Sequence, residues 1–176
     1  MQTNVTKSIF ATLQDDFQTV DADQGLGSLG EWPPAGDHNC YVLNMMIDAK
    51  AIFKEAAASG GQEHPAISIQ FSYQLVEDPD RAEPLLWRGA PITIPSNPKD
   101  IGHEGSKIRA QIEMKRLKGH LKTLLGRDPV DLSADMDAVA SLLSGEQSVV
   151  AVVDCRYNKR NDRTYKTEYL KQLLGG

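Results

Sequence analysis

The amino-acid sequence predicts a mainly β protein, built as a five-stranded Greek-key barrel with an α-helical insert between strands 3 and 4 and an N-terminal arm. Three observations support this architecture. One segment alternates apolar and polar residues with period two, which is typical of an antiparallel strand with one solvated face. A stretch with helical spacing follows the third strand candidate. Two further strand candidates follow the insert, and a polar hairpin loop separates them.

Residues 1–36 are expected to form an arm or irregular leader, and residues 37–176 a single domain. The leader is polar and acidic, with a glycine-rich stretch at 25–30 and a Pro-Pro-Ala-Gly turn at 33–36. A short helix near Ile9–Phe17 is the regular element expected there. The length of 176 residues suits one well-buried domain.

Hydrophobic patterning places the five strands. The candidates are Cys40–Ala49, Ala66–Glu77, Pro84–Pro95, Gln147–Tyr157 and Thr164–Leu173. A flexible loop is expected over Lys50–Pro65, and a hairpin loop over Asn158–Arg163. Gly89 and Pro91 interrupt the third candidate, which indicates a bulge or an edge strand. In the second candidate, five apolar residues share one face: Ile67, Ile69, Phe71, Tyr73 and Leu75.

The helical insert covers about residues 106–145. Ser106 is expected to cap its first helix and Gly126 to end it, since these residue types satisfy the free backbone groups of helix ends. A second, short helix is expected over residues 133–144. Its first turn contains acidic residues, where the helix dipole favours negative charge.

The charge is distributed in blocks, although the whole chain carries a net charge of −5. Residues 99–127 contain eight Lys/Arg against three Asp/Glu, a net +5, and residues 154–176 contain six against three, a net +3. Residues 1–37 and residues 128–148 each carry a net −5. Charges act over about 8–10 Å at physiological salt, so local blocks matter more than the total. This pattern favours a local anion-binding face; two solvated basic faces are the alternative.

Motifs for catalysis or metal binding are weak. The Gly-x-Gly-x-x-Gly pattern at 25–30 lacks the preceding apolar strand that a dinucleotide site needs. The loop at 102–107 lacks the Gly-Lys-Ser/Thr ending of a phosphate loop, although a minor anion contact there is an alternative. The four histidines are scattered, and Cys40 and Cys155 have no metal-type spacing. We therefore expect no enzyme activity, no cofactor and no metal. No apolar run is long enough to cross a bilayer, so no membrane partner is expected.

The segment from Tyr157 to Tyr169 interleaves three tyrosines with four bases. Aromatic stacking combined with phosphate pairing is how proteins hold single-stranded nucleic acid without sequence readout. On an extended strand Tyr165, Thr167 and Tyr169 share one face, opposite Lys166 and Glu168. The candidate nucleic-acid-binding residues are Trp87, Arg88, Tyr157, Lys159, Arg160, Arg163, Tyr165, Lys166, Tyr169, Lys50, Phe53 and Lys54. The alternative for each aromatic residue is a place in the hydrophobic core.

Over residues 32–173 the chain resembles the phage-encoded single-stranded-DNA-binding proteins of the oligonucleotide-binding (OB) fold. The resemblance rests on features in order: Pro33–Gly36, the strand Ile67–Val76, Trp87-Arg88-Gly89, the insert Lys107–Gly126 ending in Leu-Leu-Gly, the step Leu142–Gly145 and the tyrosine-rich hairpin. It implies an OB-like barrel that binds single-stranded DNA independently of sequence in phage DNA replication or recombination. It also implies no catalysis and a place in the host cytoplasm.

Several alternatives stay open. Partly open barrels of this kind bind oligonucleotides or oligosaccharides, so a sugar- or nucleotide-binding enzyme is one rival. A non-enzymatic phage structural or assembly protein with a β-barrel core is another, and it predicts a defined oligomer; a homo-oligomer is also an open alternative for the DNA-binding interpretation. RNA is an alternative ligand because stacking and phosphate contacts do not read the 2′-hydroxyl. Phage replication or recombination proteins are expected partners. Many proteins of this family recruit them through an acidic tail; this sequence has no acid after Glu168, which counts against that route.

Overall fold

Six strands and two α-helices make up the described part of the chain. The computed structural model describes residues 31–76 and 82–175, so the helix predicted at Ile9–Phe17 lies outside the described residues. The strands are β1 (Gly36–Lys54), β2 (Glu63–Leu75), β3 (Leu86–Arg88), β4 (Ile92–Pro95), β5 (Val149–Arg160) and β6 (Arg163–Leu173). The helices are α1 (Glu104–Leu125) and α2 (Leu132–Leu143). The prediction of a mainly β chain with a helical insert is confirmed.

All six strands belong to one antiparallel sheet. Its order is β3-β2-β1-β5-β6, and β4 also pairs with β2. Six strands replace the predicted five because the third candidate divides at residues 89–91, and both pieces pair with β2. Within the described residues, 31–76 and 82–175, no backbone hydrogen-bond ladder joins β6 to β3 or β4, so the sheet is open.

β1 is the longest of the six described strands, and it pairs with both β2 and β5. Its first residues, Gly36–Val42, pair with β5, and residues from Cys40 to Lys54 pair with β2. The register with β2 shifts between Val42 and Asn44 and again between Asp48 and Ala51. Such bulges increase the local twist of a strand. β1 therefore curves through the fold.

The loop predicted over Lys50–Pro65 is wrong over half of its length, because residues 50–54 and 63–65 are strand. β1 and β2 stay paired up to Lys54 opposite Glu63, which leaves residues 55–62 as the connection. The alanines there form only one short 3-10 helix, Ala57–Ser59. Pairing with a neighbouring strand outweighs local composition in deciding where a strand ends, and composition was the only guide in the sequence.

β2 shows the predicted alternation over most of its length. Four of the five apolar residues predicted on its inner face are buried: Ile69, Phe71, Tyr73 and Leu75. Ile67 instead remains 40% exposed. Toward the beginning of the strand the buried side changes, and His64 and Ala66 are covered there.

β5 and β6 form a tighter hairpin than the sequence predicts. Their ladder continues to Arg160 opposite Arg163, so the connection is the two-residue turn Asn161-Asp162. These residues have φ values of 49° and 61°. Asn and Asp tolerate this left-handed backbone better than other side chains, and two such residues in a row suit a two-residue hairpin. The loop predicted over Asn158–Arg163 is therefore mostly strand.

The helix ends follow capping chemistry. The N-cap of α1 is His103, whose Nδ1 accepts a 3.1 Å hydrogen bond from the Ser106 amide, so the expected Ser106 cap is wrong. α1 ends at Gly126, as predicted, with a φ of 68° that glycine adopts without strain. The N-cap of α2 is Asp131, whose carboxylate accepts a 3.0 Å hydrogen bond from the Ala134 amide.

The main hydrophobic core lies between one face of the sheet and the two helices. α1 contributes Leu117, Leu121 and Leu124 to it, and α2 contributes Val139. α1 contacts both β4 and β6, which lie toward opposite edges of the sheet. The helix therefore spans the opening that the strands leave.

The residues just before β1 also pack on this core. The Trp32 ring lies 4.9 Å from that of Trp87 and 6.4 Å from that of Tyr157, between ring centroids. Pro33 is buried, and its carbonyl accepts a hydrogen bond from the Tyr157 hydroxyl. The division into a 1–36 leader and a 37–176 domain stays a prediction.

Candidate nucleic-acid interface

The β5–β6 hairpin brings seven of the predicted site residues together. They are Tyr157, Lys159, Arg160, Arg163, Tyr165, Lys166 and Tyr169. The register pairs Tyr165 with Asn158 and Tyr157 with Lys166. Glu168 is buried while Tyr165 is 51% exposed, in agreement with the predicted alternation along β6. The outer face of the hairpin is therefore the face that carries Tyr165 and Tyr169.

The tip of the hairpin carries cations that are available to a partner. Lys159, Arg160 and Arg163 are exposed, and no ion pair holds them within residues 31–76 and 82–175. Arg156, farther along β5, differs because its Nε donates a 2.8 Å hydrogen bond to Asp154. Cations that no carboxylate neutralises keep their full attraction for phosphate, so the tip carries a local positive charge.

Tyr169 is half-buried and lies among cations. The guanidinium carbon of Arg156 is 4.3 Å from the centre of its ring, and that of Arg116 is 6.0 Å away. Aromatic rings attract cations through their negative faces. These contacts hold the ring beside α1, at the edge of the sheet.

Tyr157 points to the inner side of the hairpin. Its hydroxyl donates to the Pro33 carbonyl, its ring packs edge-on against Trp32, and the Lys166 Nζ lies 5.8 Å from the ring centre. Burial raises the pKa of its hydroxyl. The side chain thus anchors the residues before β1 and is less available for stacking than Tyr165.

Trp87 and Phe53 are core residues, which is the alternative that the sequence left open. Trp87 is 1% exposed and stacks on Tyr73 with 4.5 Å between ring centroids. Phe53 is 3% exposed and lies under the guanidinium of Arg109. A base cannot stack on a ring that protein atoms already cover. These two aromatics are therefore not stacking platforms in this conformation.

The remaining predicted cations divide into two groups. Arg88 ends β3, at the other end of the strand order, but the two residues after it, Gly89 and Ala90, contact Glu168 of β6. Lys50 and Lys54 are exposed near the end of β1, whereas β5 pairs only with Gly36–Val42. Lys50 is eight residues beyond Val42, where the pairing with β5 ends. At about 3.3 Å per residue, this corresponds to roughly 26 Å along β1, measured along the strand without its curvature. The structure therefore separates two predicted basic regions.

A buried polar cluster that the sequence did not indicate lies behind the hairpin. The Glu168 carboxylate accepts hydrogen bonds from Arg116 at 3.1 Å and from the Ala90 amide at 2.9 Å. The Nδ1 of His120 donates to the Arg116 carbonyl at 2.9 Å. Its Nε2 is therefore left as an acceptor, 4.0 Å from Glu168. Only the position of Glu168 on the inner face of a strand could have signalled this cluster.

Burial changes the titration of this cluster. It raises the pKa of the Glu168 carboxyl to about 7, against the opposing effect of the Arg116 charge. It lowers the pKa of His120 to about 4. At neutral pH His120 is therefore uncharged, and the Glu168 carboxyl keeps its proton to a higher pH than an exposed glutamate does.

A second buried pair holds the beginning of α1. The His64 Nε2 donates a 2.8 Å hydrogen bond to Glu55, whose other oxygen accepts from the His103 amide at 2.9 Å. The bond from His64 is the main reason that the pKa of Glu55 is lowered. Two of the histidines that are scattered along the sequence, His64 and His103, thus contact the same carboxylate, that of Glu55.

Within residues 31–76 and 82–175, no group of three or more His, Cys, Asp or Glu side chains is placed to hold a metal ion. None of the helices in this part of the chain combines the length and apolar character needed to cross a membrane. Comparisons with family models, with curated proteins and with solved structures find no match for this chain.

Proposed function

We propose that the protein binds single-stranded DNA, independently of sequence, along the β5–β6 hairpin. The observation that carries the proposal is the combination of exposed, unpaired Lys159, Arg160 and Arg163 with the exposed ring of Tyr165 on one hairpin. The cations supply attraction to phosphates, and the ring supplies a surface for any base. Neither interaction reads sequence.

The topology supports the same proposal. The order β3-β2-β1-β5-β6, with a helical insert between β4 and β5, fits an OB-like Greek-key barrel opened between its edge strands. Glu168 and α1 bridge that opening. We propose that the sheet functions as such a barrel, with the hairpin as part of its binding surface.

A role in phage DNA replication or recombination follows from the family resemblance in the sequence. The rival is a non-enzymatic phage structural or assembly protein with the same β core. The rival predicts a defined oligomer and no affinity for nucleic acid. RNA is a second ligand to compare, because nothing in the hairpin contacts is specific for deoxyribose.

The proposal is tested by fluorescence anisotropy with a labelled oligo-dT of about 30 nucleotides across a salt series. Removing Arg160 and Arg163 together (Arg160→Ala, Arg163→Ala) should weaken binding and reduce the salt slope by about 0.7 per lost contact. Lys50→Ala with Lys54→Ala is the matched control, since it removes two exposed cations that lie far from the hairpin. Its slope should stay near that of the unchanged protein.

Two results would contradict the proposal. If the unchanged protein does not bind oligo-dT at low salt, single-stranded DNA is not its ligand and the interaction-protein rival takes its place. If it binds but the hairpin double variant keeps the full salt slope, the DNA lies elsewhere. Competition with duplex DNA and with oligo-rU identifies the preferred nucleic acid.

A further inference from the structure

A cleft lies between α1 and β6, beside the hairpin. Its volume is about 260 Å³, and its walls include Ile112 and Gly119 from α1 and Tyr169 and Leu170 from β6. Sites that enclose drug-sized molecules measure roughly 300–1,000 Å³. A cleft of this size therefore suits a single planar ring system rather than a larger ligand.

The charged groups that line the cleft are cationic. Lys115 and Arg116 line it together with the uncharged His120. Glu113 and Glu168 already hold Arg116 at 3.2 Å and 3.1 Å. Lys115 is exposed and forms no ion pair in the described part of the chain. The unneutralised charge at the cleft is thus positive, which favours a ligand with an anionic group next to its ring.

The cleft continues the surface proposed for DNA. Tyr169 and Tyr165 lie on the same face of β6, four residues apart, which corresponds to about 14 Å. Tyr165 belongs to the hairpin surface, and Tyr169 lines the cleft. A single DNA strand that stacks a base on Tyr165 can therefore follow β6 to the ring of Tyr169.

We propose that this cleft binds one nucleobase of the single strand, which stacks on Tyr169 while its phosphate lies on Lys115. The inference rests on the proposed function. Arg156, 4.3 Å from the ring centre of Tyr169, occupies part of that ring in the free protein. For a base to stack on that face of the ring, the Arg156 guanidinium has to move away from it; unlike Phe53, the Tyr169 side chain is only half-buried.

The test fills the cleft without removing any group from it. A Cβ added at Gly119 meets no heavy atom within 4 Å, so Gly119→Leu is compatible with the helix backbone. The leucine should occupy the space of the base. Affinity for oligo-dT of about 30 nucleotides should fall about 10-fold, within the range expected for one lost stacked base. Gln111→Leu adds the same side chain to an exposed position of α1 outside the cleft and should leave affinity unchanged.

A second measurement locates the base directly. Photo-crosslinking with an oligonucleotide that contains 5-iodouracil should give an adduct in the peptide that holds Tyr169, detected by mass spectrometry. The adduct should disappear in Gly119→Leu and persist in Gln111→Leu. A single cooperative urea transition in both variants, with a midpoint no lower than that of the unchanged protein, would show that the fold is intact.

The outcomes separate the two proposals. If the unchanged protein binds no single-stranded DNA, both are overturned. If it binds and Gly119→Leu binds equally well with the same adducts, only the cleft assignment is overturned. If Gly119→Leu leaves DNA affinity unchanged but dissociates an oligomer, a second copy of the chain covers the cleft and the assignment is again overturned.

Discussion

The Glu168 carboxylate accepts a 2.9 Å hydrogen bond from the backbone amide of Ala90. This bond joins β6 to the segment between β3 and β4, at opposite ends of the strand order. Arg116 of α1 donates to the same oxygen at 3.1 Å. A buried side chain and a helix thus connect two edges that no backbone ladder joins in the described part of the sheet.

Gly89→Ala should destabilise the protein. A Cβ at this position would lie 1.6 Å from the Glu168 Oε2, so the carboxylate would have to leave its place. Forcing extra volume into a packed site typically costs about 1–3 kcal/mol. The free energy of unfolding in urea checks this expectation.

Gly119→Ala is the matched control for that substitution. The added methyl group meets open space, and alanine favours a helix over glycine by about 0.5–1 kcal/mol. This variant should therefore be more stable than the unchanged protein. Equal stability of the two variants would show that the carboxylate does not fill the space beside Gly89.

Glu168→Gln should change how stability depends on pH. The pKa of Glu168 is about 7 in the fold, above its ordinary 4.5, so its contribution is full below 4.5 and is lost as pH rises through 7. The pKa of His120 is about 4, below its ordinary 6.5, so its contribution is full above 6.5 and is lost as pH falls through 4. The opposing effects should leave the free energy of unfolding nearly constant between about pH 5 and 6.5.

In Glu168→Gln only the His120 effect remains. The free energy of unfolding should then rise from about pH 5 to 6.5, by at most about 1.4 kcal/mol per pH unit, and then level off. His120→Gln should show the opposite trend, a fall up to about pH 7. Urea denaturation across this range measures both profiles; profiles that all match the unchanged protein would contradict the assigned titration.

Tyr165→Ala should weaken DNA binding and leave stability nearly unchanged. The ring is 51% exposed, and a stacked base is worth roughly 1–3 kcal/mol of binding free energy. Trp87→Ala should instead lower the free energy of unfolding by about 3–5 kcal/mol, because its ring fills the core. Anisotropy and urea denaturation on both variants separate the roles. Unchanged affinity in Tyr165→Ala would remove this ring from the proposed surface.

Local signals in the sequence predicted a good part of the fold. The glycine that ends α1 and the alternation from Ile69 to Leu75 each depend on a few neighbouring residues, and both are confirmed. The strand ends were not predictable in the same way. β1 continues to Lys54 because β2 lies opposite and pairs with it. That partner is not visible in local composition.

The candidate site residues also fall into two groups: those whose exposure the local sequence predicts and those whose exposure depends on tertiary contacts. The cations at the hairpin tip are exposed, as expected for a charged run between two strands. The aromatic residues could not be sorted from the sequence, since stacking surfaces and core residues look alike there. Tyr165 is half exposed and no element within residues 31–76 and 82–175 packs over it, whereas Trp32 and Tyr73 cover Trp87.

The mainly β class, the helical insert and the basic hairpin were determined by the sequence itself, because periodicity, helix-ending residues and charge runs act over short stretches of chain. Only the tertiary structure decided that Glu168 meets Arg116 and Ala90, which lie 52 and 78 residues away along the chain. Contacts over such separations depend on which strands pair and on where α1 packs. Burial then follows from those contacts, and it is burial that moves the pKa values of Glu168 and His120.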